Sequence, residues 1–144
     1  MDSLKLDQAQ GIANAALETG RRKSLAPLAI AVLDARGCTQ VLLAQEGTSL
    51  LRTDIATAKA AGALNMGVGG RELARRAEQN PGFVASLNAI SQGRMVTVRG
   101  SVLVRDGQGR LLAAVGISGD TAENDEACAV AAIEAAGLHA DTGD

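Results

Sequence analysis

Apolar residues follow two different spacings along the chain. In five segments they recur every three or four residues, as on one face of a helix. These helical segments are 7–22, 49–66, 71–79, 81–91 and 122–136. Five other segments are continuous or alternating apolar runs, typical of strands: 28–34, 38–45, 94–98, 100–106 and 111–118. Because the strands pair as hairpins rather than through βαβ crossovers, this order predicts an α+β domain with an antiparallel five-stranded sheet flanked by helices.

Polar residues and glycines mark the ends of the predicted helices. Asp7 is expected to cap the first helix, with Gln10 as its capping-box partner. Thr48 or Ser49 can cap the second helix. Gly137 is expected to end the last helix as its C-cap.

Length and composition restrict the class of protein. A chain of 144 residues is expected to form a single domain over 1–144. No apolar run is long enough to cross a bilayer, and the N-terminus lacks the features of a secretory signal. A cytoplasmic protein without a membrane partner is therefore expected. The formal net charge of −2 and the single aromatic residue, Phe83, argue against a nucleic-acid partner.

Metal-ligating residues are few. The two cysteines, Cys38 and Cys128, lie far apart and match no CxxC or Cys/His spacing. The single histidine, His139, lies in the polar segment LHADTGD and is expected to be a solvated tail residue. The sequence therefore predicts no metal site of the zinc type.

The stretch GISGDTAENDEACAVAAIEAAGL, near the C-terminus, holds the strongest functional signal. Ser118 and Gly119 form a turn before the last helix, where backbone N–H groups can receive an anionic ligand group. Asp120 and Asp125 suit a helix start, because acidic side chains there complement the helix dipole. Glu126 instead projects with the core face of the helix, which predicts a polar cleft wall.

Two basic residues share one stripe of the second predicted helix. Arg52 and Lys59 are seven residues apart, and small residues surround Lys59 in the run ATAKAAGA. These two side chains are either solvated or directed into a cleft. In the second case, Lys59 is expected to approach the turn before the last helix and to pair with Glu126, because an unpaired buried charge is costly.

Three segments, LAIAVLDARG, DIATAKAAGAL and AAVGISGDTAENDEACAVAAI, resemble the GlcG/HbpS-like haem-binding family, which also supplies the C-terminal domain of PduO-type proteins. The resemblance covers about residues 6–138. It implies an antiparallel sheet with a profilin- or PAS-like outline, homo-oligomerisation, and binding of haem or another small molecule. Carried over by position, the motif residues are Asp34, Lys59, Gly116, Ser118, Gly119, Asp120, Asp125 and Glu126.

The resemblance leaves the haem ligand open. The segment RGSV, at 99–102, lacks the second glycine and the proline that many family members have before the penultimate strand. The chain has no tyrosine, and its histidine lies outside the predicted helices and strands. An axial haem ligand would therefore be Met66, Met95, a cysteine or His139.

Two functions from different classes are consistent with these residues. The first is a non-enzymatic protein that binds haem or a small organic anion in a cleft near the last strand–helix turn. The expected ligand-binding residues are Arg52, Lys59, Arg99, Gly100, Ser118, Gly119, Asp120, Asp125 and Glu126.

The second function is a cofactor-free isomerase, tautomerase or lyase that acts on a small oxygenated acid. Arg52, Lys59 or Arg99 would hold the substrate carboxylate. The candidate catalytic residues are Glu126, Asp34 and Lys59. Either carboxylate would transfer a proton at neutral pH if burial raised its pKa.

Overall fold

The computed structural model describes residues 3–144. The helices are α1 (Leu6–Arg22), α2 (Arg52–Met66), α3 (Gly70–Gln79), α4 (Pro81–Ile90) and α5 (Ala122–Ala135). The strands are β1 (Ala29–Asp34), β2 (Thr39–Ala44), β3 (Ser101–Arg105), β4 (Leu111–Ser118) and β5 (His139–Asp141). They form one sheet in the order β2-β1-β4-β3-β5, with every neighbouring pair antiparallel. The predicted α+β class with an antiparallel five-stranded sheet is thus confirmed. None of the helices described is both long and apolar enough to traverse a bilayer.

Helices cover both faces of the sheet. Ile30 and Val32 of β1 belong to the core formed with α1 and α5, whereas Ala31 and Leu33 belong to the core formed with α2. Every residue of β1 is buried as a result. This two-sided burial explains why the segment is a continuous apolar run rather than an alternating one.

Helix α2 lies very close to the sheet. A Cβ atom at Gly116 of β4 would lie 2.1 Å from the Ala56 carbonyl oxygen and 2.8 Å from the Ala60 amide nitrogen. A glycine in the strand and alanines along the buried face of the helix permit this approach. Lys59 therefore starts close to the sheet, and its side chain reaches the backbone of Ile117 in β4.

One predicted strand is wrong, and a strand elsewhere takes its place. Residues 94–98 form no strand. Met95 is instead buried against α2, with its sulfur 3.1 Å from where a Cβ of Gly62 would lie. The fifth strand is β5, which pairs with β3 and sets His139 opposite Arg105. His139 is thus an exposed residue of an edge strand rather than part of a solvated tail.

Two helix starts also differ from the prediction. The N-cap of α1 is Lys5, whose backbone N–H donates to the Gln8 side chain at 3.1 Å, and Asp7 lies within the first turn. Helix α2 begins at Arg52, after the N-cap Leu51, which provides no side-chain cap. This later start places Arg52 at the N-terminal end of the helix, close to the end of β4.

Candidate functional site

The turn between β4 and α5 receives the side chain of Lys59. The Lys59 Nζ donates to the Ile117 carbonyl oxygen at 2.7 Å and to Asp125 Oδ2 at 3.3 Å. The other Asp125 oxygen accepts a hydrogen bond from the Asp120 backbone N–H at 3.0 Å. The exposed fraction is 4% for the Lys59 side chain and 2% for that of Asp125. The predicted approach of Lys59 to this turn is confirmed, but its partner is Asp125 rather than Glu126.

Burial changes the proton affinity of both members of this ion pair. It lowers the pKa of Lys59, against the opposing attraction of Asp125. It likewise raises the pKa of Asp125, against the opposing attraction of Lys59. The two pKa values are shifted toward each other because each charge has lost its water and is compensated mainly by the other.

Glu126 is held by two arginines from different elements. Its carboxylate accepts hydrogen bonds from Arg71 of α3 and from Arg99 of the loop before β3, with closest N–O distances of 2.8 Å in both cases. Burial raises the pKa of Glu126, but hydrogen bonds from the two arginines outweigh burial, so the net pKa is lowered. The raised pKa that the enzymatic alternative requires of this carboxylate is therefore not found. At neutral pH Glu126 is an ionised carboxylate rather than a proton donor.

Arg71 is a residue of this site that the sequence did not reveal. Besides Glu126, its guanidinium pairs with Asp144 at 2.8 Å, and its backbone N–H donates to the Thr142 carbonyl oxygen at 3.0 Å. In the sequence Arg71 directly follows Gly70 in a glycine-rich connection. That position indicates where a helix begins, but nothing in the spacing relates residue 71 to residue 126.

Arg52 differs from the other cations at this turn. Its Nη1 donates to the Ser118 Oγ at 3.0 Å, and Ser118 is fully buried at the end of β4. Among residues 3–144 Arg52 forms no ion pair with a carboxylate, whereas Lys59, Arg71 and Arg99 each do. The Arg52 charge is close enough to Lys59 to contribute to the lowered pKa of that residue. The turn therefore holds a partly exposed guanidinium whose charge is not neutralised.

Two glycines and an aspartate at the site shape the backbone around these charges. A Cβ at Gly100, whose φ is +113°, would lie 2.7 Å from the Lys59 Nζ. A Cβ at Gly119 would lie 2.2 Å from the Pro27 carbonyl oxygen. The Asp120 carboxylate accepts hydrogen bonds from the Ala26 backbone N–H at 2.9 Å and from neighbouring groups of the turn. These three residues keep the turn in place and leave room for Lys59.

Asp34 is not part of this site. It lies at the far end of β1, opposite Ala113, whereas Ser118 is opposite Ala29 at the other end. Five residues of strand correspond to about 17 Å. The Asp34 carboxylate accepts hydrogen bonds from the Arg36 and Cys38 backbone N–H groups and pairs with the Arg36 guanidinium. It therefore stabilises the β1–β2 hairpin turn.

The candidate haem ligands are distributed over the molecule. Met66 and Met95 line one groove beside α4. Cys38 is exposed in the β1–β2 turn, and Cys128 is buried in α5. Within the described part of the chain, no group of three His, Cys, Asp or Glu side chains is arranged to hold a metal ion. The side chains that meet at the β4–α5 turn are arginine, lysine, serine and carboxylates.

Solved structures match this fold along nearly its whole length. The haem complex of PduOC is 27% identical with a TM-score of 0.83, and the match covers 99% of both chains. HbpS is 27% identical with a TM-score of 0.81, over 94% of this chain and 91% of HbpS. Klebsiella pneumoniae protein ORFY, at 24% identity, shares the fold with a TM-score of 0.85, over 95% of this chain and 92% of its own.

Sequence comparison identifies the family. No curated protein matches the chain. The family profile described as haem degrading protein, HbpS-like, matches residues 4–134. This match spans α1 to α4, the strands β1 to β4 and all but the last residue of α5, and it confirms the resemblance carried by the sequence motifs. The chain belongs to the HbpS-like family of haem degrading proteins.

Proposed function

We propose that this chain is a small-molecule-binding protein that holds a small organic anion at the β4–α5 turn, through Arg52. The observation that supports this function is the contrast among the four cations there. Within residues 3–144 each of the other three has a carboxylate partner, and Arg52 has none. A guanidinium presents a planar set of N–H donors that matches a carboxylate in two parallel hydrogen bonds.

The surrounding residues prepare this guanidinium for a ligand. The Ser118 hydroxyl accepts from Arg52 and fixes its orientation. Arg99, whose side chain is 34% exposed, supplies a second partly accessible guanidinium at the same turn. Lys59 contributes positive potential from the interior of the protein, because its side chain is buried. An anion at Arg52 therefore meets a cation without a carboxylate partner in a partly desolvated place, where electrostatic attraction is stronger than in water.

The remaining expected ligand-binding residues support the turn. Asp125 and Glu126 neutralise the buried or half-buried cations Lys59, Arg71 and Arg99. Since each of these cations is already paired, the ligand does not need to compensate them. We assign direct contact to Arg52 and Arg99, and a supporting role to the carboxylates.

Haem, the ligand in the family description and in the PduOC complex, fits this turn only in part. Arg52 and Arg99 suit the propionate groups of a porphyrin. The turn offers neither an imidazole nor a thioether that could bind the iron. The residues present therefore fit a free organic carboxylate better than a haem.

The alternative, a cofactor-free enzyme, has no specific support in the geometry. Asp34 is remote from the cations, and Glu126 is held ionised by two arginines. Lys59 and Asp125 are both almost completely buried. No candidate acid or base of the described chain is thus both exposed at the turn and poised to exchange a proton near neutral pH.

Calorimetric titration with acetate, lactate and succinate tests the proposed function. We expect saturable binding of at least one of these carboxylates, weakened roughly tenfold or more in Arg52→Gln, since a charge-assisted hydrogen bond contributes about 1.5–3 kcal/mol. Arg36→Gln is the matched control, because Arg36 is an exposed arginine at the opposite end of β1. Equal affinity of the unmodified chain and Arg52→Gln would refute the proposal.

A further inference from the structure

The segment that follows β5 lies across the connection between α2 and α3, and its backbone is held there. The Arg71 N–H donates to the Thr142 carbonyl oxygen at 3.0 Å. The Arg75 guanidinium donates to the Gly143 carbonyl oxygen. A Cβ at Gly69 would lie 2.3 Å from the Thr142 carbonyl carbon, and one at Gly143, whose φ is +87°, would lie 2.6 Å from the Gly69 carbonyl oxygen. The backbone of this segment is therefore fixed against the start of α3.

The side chain of Asp144, in contrast, is held loosely. Its Oδ2 accepts a hydrogen bond from Arg71 Nη1 at 2.8 Å, but the side chain is 71% exposed. An ion pair this exposed contributes little to stability, because water and salt screen it. Asp144 also lines a cleft of about 380 Å³, together with Gly67 and Val68. This cleft leaves the carboxylate room to swing away from Arg71 while the backbone stays in place.

The charges beneath Asp144 call for one further carboxylate. Arg71 and Arg99 both donate to the buried Glu126 carboxylate through their Nε and Nη2 atoms, so the two guanidinium groups lie close together. Two guanidinium charges against one carboxylate charge leave one positive charge, which Asp144 compensates at Arg71. The Nη1 of Arg99 lies 3.9 Å from the Glu123 carboxylate, beyond hydrogen-bond distance. The Nη1 atoms of both arginines are therefore available to a carboxylate once Asp144 moves aside.

We propose that Arg71 and Arg99 form a second binding position for a small carboxylate, and that the Asp144 side chain covers this position until a ligand replaces it. The ligand takes over the hydrogen bond from Arg71 Nη1 and gains one from Arg99 Nη1, in the charge-assisted pairing that guanidinium groups favour. Arg99 also belongs to the anion site at Arg52, so the inference rests in part on the function proposed above. Arg71 and Asp144 belong to the second position alone.

Calorimetric titration with succinate tests the second position in the full chain carrying Arg52→Gln, in which the first site is disabled. Adding Asp144→Asn should strengthen succinate binding roughly tenfold, the factor expected if the covered state holds about nine-tenths of the population. Adding Arg99→Gln as well should abolish this gain. Asp7→Asn is the matched control, because Asp7 is an exposed aspartate of α1, and it should leave the affinity unchanged. Equal affinity with and without Asp144→Asn, or no binding in either chain, would overturn the proposal.

Amide spectra of the same Arg52→Gln chain provide a second readout. Saturating succinate should shift the Asp144 amide signal and leave that of Gly143 near its original position, because the Gly143 N–H still donates to Asp141 Oδ1. An unmoved Asp144 signal, or the release of the whole segment, would overturn the proposal. A loss of stability in Asp144→Asn without a gain in affinity would also overturn it, since the ion pair would then be structural only. If Arg52→Gln alone leaves succinate binding unchanged, the function proposed for Arg52 fails, but a gain from Asp144→Asn still supports the second position.

Discussion

The Lys59 ammonium and the Asp125 carboxylate face each other at 3.3 Å, and water is excluded from both. This ion pair joins the middle of α2 to the first turn of α5, across the end of β4. Each of the two buried charges is compensated mainly by the other. The two side chains therefore stabilise the protein only as a pair.

Lys59→Met is expected to destabilise the protein by about 3–5 kcal/mol at neutral pH, since the Asp125 carboxylate is left buried without a cation. Adding Asp125→Asn should recover part of this loss. The pKa of Asp125 is already raised, and without Lys59 it rises further. The single variant should therefore be less destabilised as the pH falls and the carboxyl group takes up a proton. Urea unfolding at several pH values measures this, and a loss independent of pH would contradict it.

Glu126 should make the protein sensitive to acid. Its folded pKa lies below the ordinary value of 4.5. The stabilisation that it contributes is therefore complete above that value and is lost as the pH falls through the lower, folded pKa. Glu126→Gln is expected to cost about 2–3 kcal/mol at neutral pH and to flatten the pH dependence below the ordinary pKa of 4.5.

Thermal unfolding against pH measures the effect of Glu126. Glu46→Gln is a suitable control, since Glu46 is exposed and no described ion pair involves it. An unchanged acid profile in Glu126→Gln would show that other carboxylates dominate acid unfolding.

Gly116→Ala should destabilise the protein by about 3 kcal/mol or more, because the new methyl group would overlap the backbone of α2 at Ala56. Gly11→Ala is the opposite case. A Cβ there has no neighbour within 4 Å and the position is inside α1, so a gain of up to about 1 kcal/mol is expected. Equal stability of the two variants in chemical unfolding would contradict the close helix–sheet contact.

Self-association is expected through the surface just before α2. Leu50 is 97% exposed and Leu51 is 64% exposed, and adjacent exposed leucines are typical of contact surfaces. Light scattering at micromolar concentration should show a dimer or larger assembly, and Leu50→Ser with Leu51→Ser should reduce its mass. Leu6→Ser, at another exposed leucine, is the control. A monomeric unmodified chain would count against the prediction.

Most of the fold could be predicted from local sequence patterns. The segments that became β1, β4 and α5 carry strong signals, because a strand buried on both faces is a continuous apolar run and Thr121 caps α5 by accepting from the Asn124 N–H. The predicted strand over 94–98 is wrong because the apolar residues of this segment alternate as they would in a strand. Its apolar residue Met95 is buried by a helix instead. A short edge strand such as β5 has too few residues to give a pattern.

The site was harder to predict than the fold. The sequence left the Lys59 side chain either solvated or directed into a cleft. It turns inward because the small residues around it let α2 approach the sheet. Choosing between Asp125 and Glu126 as its partner required the rotation of α5 about its axis, to which helical spacing gives only a rough guide. The role of Arg71 depends on packing of α3 against the start of α5, a contact between residues far apart in sequence.

The aliphatic core has a practical consequence for spectroscopy. With no tryptophan or tyrosine and one exposed phenylalanine, the protein is almost transparent in the near ultraviolet and hardly fluoresces. Phe83 lies one helical turn before Leu87, on the same side of α4. Phe83→Trp would introduce a sole emitter on α4 without disturbing any buried packing, since no residue of this helix is buried. A chromophore bound there would quench this emission by energy transfer, and a transparent carboxylate bound at Arg52 would not.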